Sequence, residues 1–161
     1  MRHHGLMNAP TVLQALPAAH FAAWLEGAIL RYASYLVGSG RAEVAQSLAQ
    51  AQRVHAELLP EGQGTPGHHL FEIHDASAGP VGSLWLHIGP QGRAHLYDLF
   101  IDATHRRRGH AGRALQALFD EARRLGARQL GLNVLAANAG ARRLYEQLGF
   151  AAHSLQMSRG L

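Results

Sequence analysis

The stretch RAHLYDLFIDATHRRRGHAGRAL, residues 93–115, joins a strand pattern to a helix pattern through a loop of arginine and glycine. Its first part is rich in aromatic and branched apolar side chains, which is typical of a strand. From Gly109 to Leu125 apolar side chains recur every three or four residues, which predicts an amphipathic helix. Three consecutive arginines, Arg106 to Arg108, precede that helix. Positive charge and small residues at a helix start indicate a site for an anion.

The physical basis of such a site is the backbone. The N–H groups of a first helical turn have no acceptor within the helix, and the helix dipole adds about half a positive charge there. Phosphate binds at such entrances, and glycine at Gly109 and Gly112 would let it approach the main chain closely. The loop lacks the lysine of a P-loop and the three-glycine spacing of a dinucleotide fingerprint. The alternative is that the arginines are simply solvent-exposed residues at a helix start and bind no ligand.

The surrounding segments predict the fold class. Short turns separate HHLFEIHD, VGSLWLHIG and RAHLYDLFID, so these three strands should form an antiparallel meander. Two amphipathic helices, Pro17–Val37 and Arg41–Leu59, precede the meander and follow a short strand, TVLQAL. After the helix at 109–125 we expect a strand (RQLGLNVLA), a helix (NAGARRLYEQLG) and a final strand (HSLQMSRGL). The sequence therefore predicts an α+β protein with a mixed, mostly antiparallel sheet of about six to seven strands flanked by four helices.

Composition limits the classes of protein. A chain of 161 residues with 47% hydrophobic and 16% charged residues fits one globular domain, residues 1–161, whose first ten residues we expect to be flexible. No apolar run is long enough to span a membrane, which predicts no membrane partner and a cytoplasmic location. The absence of cysteine excludes disulfides and cysteine-ligated zinc. Twelve histidines occur without a metal-binding spacing, so no metal site is predicted.

The formal net charge is +4, and every basic residue other than histidine is arginine. Because the guanidinium group donates hydrogen bonds in pairs, this composition is compatible with a phosphorylated ligand. The same composition also results from the base composition of a genome.

Two segments together resemble the GNAT superfamily of acetyl-CoA-dependent N-acetyltransferases. RRRGHAG is similar to the pyrophosphate loop of that family, and NAGARRLYEQLGF is similar to its later helix with an asparagine and a tyrosine. The order of elements agrees over nearly the whole chain, in a form similar to bacterial members. The resemblance implies transfer of acetyl from acetyl-CoA, as cosubstrate, to a primary amine of an unidentified small-molecule or peptide acceptor.

The resemblance also implies roles for individual residues. The backbone of Phe100 and Ile101 would hold the pantetheine arm and the acetyl carbonyl, and Asn138 would contact the pantetheine. Tyr145 would lie near the thioester sulfur. The pyrophosphate would be held, mainly through main-chain N–H groups, by Arg106, Arg107, Arg108, Gly109, His110, Ala111 and Gly112.

The chemistry requires a proton acceptor and a proton donor. The neutral form of an alkyl amine lies about 4.6 kcal/mol uphill at pH 7, so a group must accept its proton. Many relatives have an acidic residue at the strand position of His95, and we predict that His95 is the base here. Tyr97 should point to the same side as His95, and Asp98 to the other. Tyr145 could protonate the leaving thiolate, or could pack in the core.

Two other functions remain open at this point. A GNAT fold can bind CoA as a sensor without turnover, and an arginine-rich chain can bind RNA or aminoacyl-tRNA. No aromatic residues interleave with the arginines, which argues against stacking on nucleic acid bases. Dimers are common in the family that the chain resembles, so a homodimer is compatible with the sequence.

Overall fold

The structure, a computed structural model, describes residues 11–161; the flexibility expected for residues 1–10 lies outside that range. The described residues form five strands and four helices. In chain order these are β1 (Thr11–Ala15), α1 (Phe21–Gly38), α2 (Val44–Leu58), β2 (His68–Asp75), β3 (Gly79–Ile88), β4 (Arg93–Ile101), α3 (His110–Arg124), β5 (Gln129–Leu132) and α4 (Ala139–Gln147). The predicted α+β class is confirmed.

The strands form one sheet in the order β1-β2-β3-β4-β5. β1 pairs antiparallel with β2, from Thr11 opposite Asp75 to Ala15 opposite Phe71. β3 pairs antiparallel with β4. The connection from β2 to β3 spans only residues 76–78, which makes that pair a hairpin. The predicted meander and the mostly antiparallel sheet are therefore confirmed.

The described chain divides into two compact units. The first comprises residues 11–16 and His69–Gly131, and so contains nearly all of the sheet together with α3. α3 packs against β1 and β4, and its Leu115 and Leu118 are fully buried. The 3.6-residue periodicity of α3 produces this apolar face, and the helix start is thereby fixed beside the end of β4. That the whole chain is one domain stays a prediction.

The second unit comprises Pro17–His68 and Leu132–Leu161, and its helices α1 and α2 pack on one another. Ala33, Leu36 and Ala51 form the core of this helix pair. Small residues at two of these three positions allow the two helices to approach closely.

The final predicted strand is wrong, and the described sheet has five strands rather than six to seven. Residues 151–161 form neither helix nor strand, and Leu155 and Met157 are exposed at 69% and 84%. An alternating pattern forms a strand only where a neighbouring strand accepts its backbone hydrogen bonds. Here the tail is held by a side chain instead: Gln156 donates to the Ser39 carbonyl and accepts from Arg41 Nε.

No helix among residues 11–161 combines the length and the apolar character that crossing a membrane requires.

Candidate active site

The loop between β4 and α3 has an unusual backbone. A short 3-10 turn, Ala103–His105, follows the strand, and α3 begins at His110 with Gly109 as its N-cap. Gly109 has a φ of +79°, in the left-handed region, where glycine is favoured. Arg107 also has a positive φ, of +61°, which is strained for a residue with a side chain. Surrounding contacts must therefore hold this loop in place.

Arg106 holds the end of β4. Its Nε donates to the Ile101 carbonyl at 2.9 Å, and its guanidinium lies 5.5 Å from the centre of the Phe100 ring. The side chain thus folds back along the strand. Arg107 and Arg108 are exposed and leave their positive charge at the helix entrance.

The first turn of α3 presents its amides toward this loop. The Arg113 N–H donates to the Gly109 carbonyl, which is the first backbone hydrogen bond of the helix. The N–H groups of His110, Ala111 and Gly112 therefore have no acceptor within the helix. With the missing side chain of Gly109, they form an entrance that can accept an anion.

Arg113 supports the loop, a role that was not predicted from the sequence. Its Nε donates to the Thr11 hydroxyl at 2.9 Å, and its Nη2 donates to the Arg108 carbonyl at 2.8 Å. Nη2 also lies 3.1 Å from Nδ1 of His110. The available signal was position: a side chain four residues after Gly109 reaches back over the helix start.

His110 is buried at this helix start. Burial, followed by the charge of Arg113, lowers the pKa of His110. Because the guanidinium of Arg113 can only donate, Nδ1 of His110 is the acceptor and the ring proton lies on Nε2. The neutral ring therefore fits the contact that the structure shows.

Gly82 is a second residue whose role was not predicted from the sequence. It pairs with Ile101 at the end of the β3–β4 ladder. A Cβ at Gly82 would lie 2.0 Å from the Phe100 carbonyl oxygen, which is too close for any side chain. A glycine inside a strand was the available signal, because it often marks a close backbone approach.

One face of β3 and β4 carries a group of rings. Tyr97 lies 4.7 Å from Trp85, 6.2 Å from His87 and 4.6 Å from His95, measured between ring centres. His95 and His87 are paired across the strands. Burial, and then the charge of His87, lowers the pKa of His95. A neutral imidazole at this position can accept a proton.

A β-bulge in β4 changes the expected alternation. Trp85 is opposite Asp98, but the next residue of β3, Leu86, is opposite Leu96, so Tyr97 is the extra residue. Directly opposed residues share a face of the sheet, which puts Asp98 on the face of Trp85. His95 lies on that same face, because it opposes His87. The expectation that Asp98 points to the other side is therefore wrong.

In the second unit, Asn138 caps α4 by accepting a hydrogen bond from the Ala141 N–H at 3.2 Å. Gly149, with a φ of +94°, follows the end of the helix, and the Phe150 N–H donates to the Tyr145 carbonyl. The Tyr145 ring packs edge-on against Phe150 at 5.6 Å. The predicted cap and glycine terminator are both present.

Residues 40–150 match the sequence profile of the acetyltransferase (GNAT) family. The chain belongs to the GNAT acetyltransferase family. The uncharacterized N-acetyltransferase YycN of Bacillus subtilis (strain 168) is 35% identical over 153 residues, covering 93% of this chain and 98% of YycN. The uncharacterized N-acetyltransferase YdgE of the same organism is 28% identical over 152 residues, covering 92% of this chain and 97% of YdgE.

Solved structures agree with this GNAT assignment. The crystal structure of YycN matches with a TM-score of 0.89 and 34% identity, covering 94% of this chain and 98% of that one. The spermidine N-acetyltransferase of Vibrio cholerae, solved with CoA and spermine, matches with a TM-score of 0.64 and 19% identity, covering 89% and 82%. This second likeness shows the fold alone.

The predicted site residues of this GNAT chain fall into both units. The first unit contains His95, Phe100 and Ile101 on β4, and the loop Arg106–Gly112 that follows. The second unit contains Asn138 and Tyr145. Among residues 11–161, no group of three histidine and carboxylate side chains could hold a metal ion.

Proposed function

We propose that this chain is an N-acetyltransferase that uses acetyl-CoA and acetylates a primary amine by direct attack. The observation that carries the proposal is the start of α3, where three amides without helical acceptors lie beside Gly109 and exposed arginines. Family membership and the CoA bound by a structural relative support acetyl-CoA as the cosubstrate.

The residues at the helix entrance fit a diphosphate. Such a ligand needs several N–H donors on one side and room to reach them. The amides of His110, Ala111 and Gly112 supply the donors, and the left-handed Gly109 leaves the backbone uncovered. Arg107 and Arg108 add positive charge at the rim. We propose that Arg106 acts mainly on the strand end, because its Nε is bound to the Ile101 carbonyl.

The pantetheine contacts are proposed for three individual residues. The main chain of Phe100 and Ile101 would bind the arm, and Gly82 keeps the opposing strand free of side-chain atoms there. Asn138 uses Oδ1 for the helix cap, and its amide nitrogen has no partner among the described residues. We propose that this nitrogen donates to a carbonyl of the pantetheine.

Acetyl-CoA supplies an activated acyl group as a thioester. Because the chain contains no cysteine, a route through a thioester on the protein is closed, which supports direct attack by the amine. Tyr145 would donate its phenolic proton to the departing thiolate. An N–H near Ile101 would bind the acetyl oxygen as it gains negative charge.

His95 would receive the proton of the amine, but not through direct contact at Ile101. The pairs from His87–His95 to Gly82–Ile101 are five ladder positions apart, which corresponds to about 17 Å. Tyr97 and Asp98 lie between them on the same strand. We therefore propose that water along this face carries the proton to His95, whose lowered pKa keeps it able to accept.

The test is a panel of primary amines, including polyamines, peptide N-termini and aminoglycosides, assayed for CoA release from acetyl-CoA. We expect at least one class to accelerate release well above the rate without acceptor. Gly109→Val, which fills the entrance, should abolish CoA binding in calorimetry. If the wild-type protein binds CoA but no amine accelerates the release of CoA, the result favours a CoA-binding sensor over an enzyme. If it does not bind CoA, the proposal is wrong.

The acceptor class, a cytoplasmic location and a homodimer stay predictions from the sequence. Size-exclusion chromatography with light scattering would check the predicted dimer directly.

A further inference from the structure

Arg113 joins three separate segments of the first unit through its guanidinium. Nε donates to Thr11 on β1, and Nη2 donates to the Arg108 carbonyl in the loop. Nη2 also bonds Nδ1 of His110 in the first turn of α3. Within residues 11–161, Nη1 has no hydrogen-bond partner. One half-buried side chain thus connects a strand, the loop and the helix start.

A guanidinium at this position needs an explanation, because a cation is disfavoured at the N-terminus of a helix. The carbonyl of Arg108 and the hydroxyl of Thr11 compensate part of that cost. An anion at the helix start would compensate the rest. The placement is therefore unfavourable for the helix alone and favourable for a helix that binds an anion.

The loop also requires an external support. Arg107 has a positive φ, and strained backbone persists only where neighbouring contacts determine it. The bond from Nη2 to the Arg108 carbonyl fixes the residue that follows Arg107. Because Nε is bound to β1, the loop is tied to the sheet and not only to its own helix.

Arg113 also explains part of the need for glycine at position 109. The Cβ of any other residue there would lie 2.6 Å from Nη1 of Arg113. A side chain at Gly109 would therefore displace the guanidinium as well as strain the backbone. Gly109 and Arg113 form one structural pair at the helix entrance.

We propose that Arg113 is a positioning residue of the coenzyme site: it ties Arg108 and His110 to Thr11 and so holds the first-turn amides of α3 ready for a diphosphate. The inference rests on the proposed function, since it assigns a role within the same site. The ligand class is a diphosphate ester such as the pyrophosphate of CoA.

Two ligands test this role, CoA and acetyl-pantetheine, which lacks the diphosphate. We expect Arg113→Ala to weaken CoA binding at least tenfold in calorimetry, and to leave acetyl-pantetheine binding, followed by NMR titration, within twofold. Arg123→Ala is the matched control. It removes one positive charge from the same helix, where Arg123 pairs with Asp120 and is 71% exposed, so CoA binding should stay within twofold.

A second measurement does not depend on ligand. Exchange of the amide hydrogen of residue 113, which donates to the Gly109 carbonyl, should be at least fivefold faster, relative to its intrinsic rate, in Arg113→Ala, and also in Thr11→Val, which removes only the bond to β1. Thr11→Val serves as the test if Arg113→Ala does not fold.

The possible failures are distinct. If both variants keep wild-type exchange, or if Arg113→Ala binds CoA within twofold of wild type, the inference is wrong. An equal loss for both ligands would show general damage and would also overturn it. If the wild-type protein fails to bind CoA, the proposed function is wrong and the role of Arg113 in it falls too.

Discussion

Gly82 shows how a single missing side chain sets the geometry of the site. A Cβ there would lie 2.0 Å from the Phe100 carbonyl oxygen, and that oxygen belongs to backbone that cannot rotate away. We expect Gly82→Ala to lower the free energy of unfolding by about 1–3 kcal/mol, as overpacking does. Urea unfolding of the wild-type and variant proteins measures this change in the free energy of unfolding. Gly140→Ala, where a Cβ meets nothing within 4 Å, should be neutral or stabilising. Equal stabilities of the two variants would contradict this account.

The substitution Tyr145→Phe distinguishes a catalytic role of Tyr145 from a packing role. Tyr145→Phe keeps the ring against Phe150 and removes only the phenolic proton donor. We expect turnover to fall about 100-fold, the lower range for general acid catalysis, with acetyl-CoA affinity within twofold. Steady-state kinetics and calorimetry on one acceptor measure the two quantities. An unchanged turnover would leave Tyr145 as a packing residue.

Three histidines with lowered pKa values predict how the stability of the protein depends on pH. Burial lowers the pKa of His69, His95 and His110 below 6.5, so the unfolded chain binds protons more readily than the folded one. The free energy of unfolding should therefore fall as the pH drops from 6.5 through the lowered values. We expect lower urea midpoints at acidic pH, with a smaller drop in His95→Gln.

The control for this pH effect is His153→Gln, which removes an exposed histidine of the tail. It should show the wild-type drop between neutral and acidic pH. If His95→Gln shows the full drop as well, burial of His95 does not contribute to the pH dependence.

At the scale of elements, α4 combines a structural cap with a proposed binding group. Asn138→Ala removes the acceptor for the Ala141 N–H, and we expect it to lower the free energy of unfolding by about 1 kcal/mol. Asn138→Asp keeps a capping oxygen but removes the amide donor. It should retain wild-type stability and bind CoA several-fold more weakly. Urea unfolding and calorimetry measure both; unchanged CoA binding in the aspartate variant would contradict the proposed contact.

Local patterns predicted most elements because their periodicity reports local burial. The helices and the three meander strands lie within a few residues of the predicted bounds, and the Asn138 cap and Gly149 terminator were readable from residue type. β5 is shorter than the predicted RQLGLNVLA, ending at Leu132. Its length and the missing final strand depend on pairing partners, which a single segment does not encode.

At the scale of the whole molecule, the two units contain one tryptophan each, Trp85 in the first and Trp24 in the second. The chain passes between the units three times along its length, so we expect them to unfold together as one domain. Trp24→Phe and Trp85→Phe leave a single tryptophan in each variant, whose fluorescence can be excited selectively at wavelengths longer than those that tyrosine absorbs. In both, urea transitions by fluorescence and by far-UV circular dichroism should coincide. Separate midpoints would contradict a single domain.

The distance along the chain between contacting residues decided which parts of the site could be predicted. The loop Arg106–Gly112 is contiguous, so its charge and glycines were visible in the sequence. The bond from Arg113 to Thr11 was not visible, because the two residues are 102 positions apart in the chain. The face of Asp98 also could not be predicted, since the bulge is a property of the pairing between β3 and β4. The parts of the site that depend on long-range contacts could not be predicted from local sequence.

Because Tyr97 forms a bulge, we expect β4 to tolerate the deletion of Tyr97 better than the deletion of a regularly paired residue. Deleting any regularly paired residue inverts the faces of all side chains beyond it, because the side-chain period of a strand is two. Removing Tyr97 alone would instead bring Leu96 and Asp98 into adjacent pairs with Leu86 and Trp85, and the ladder would become continuous. In a comparison of natural variants, a one-residue gap in this strand therefore belongs at Tyr97.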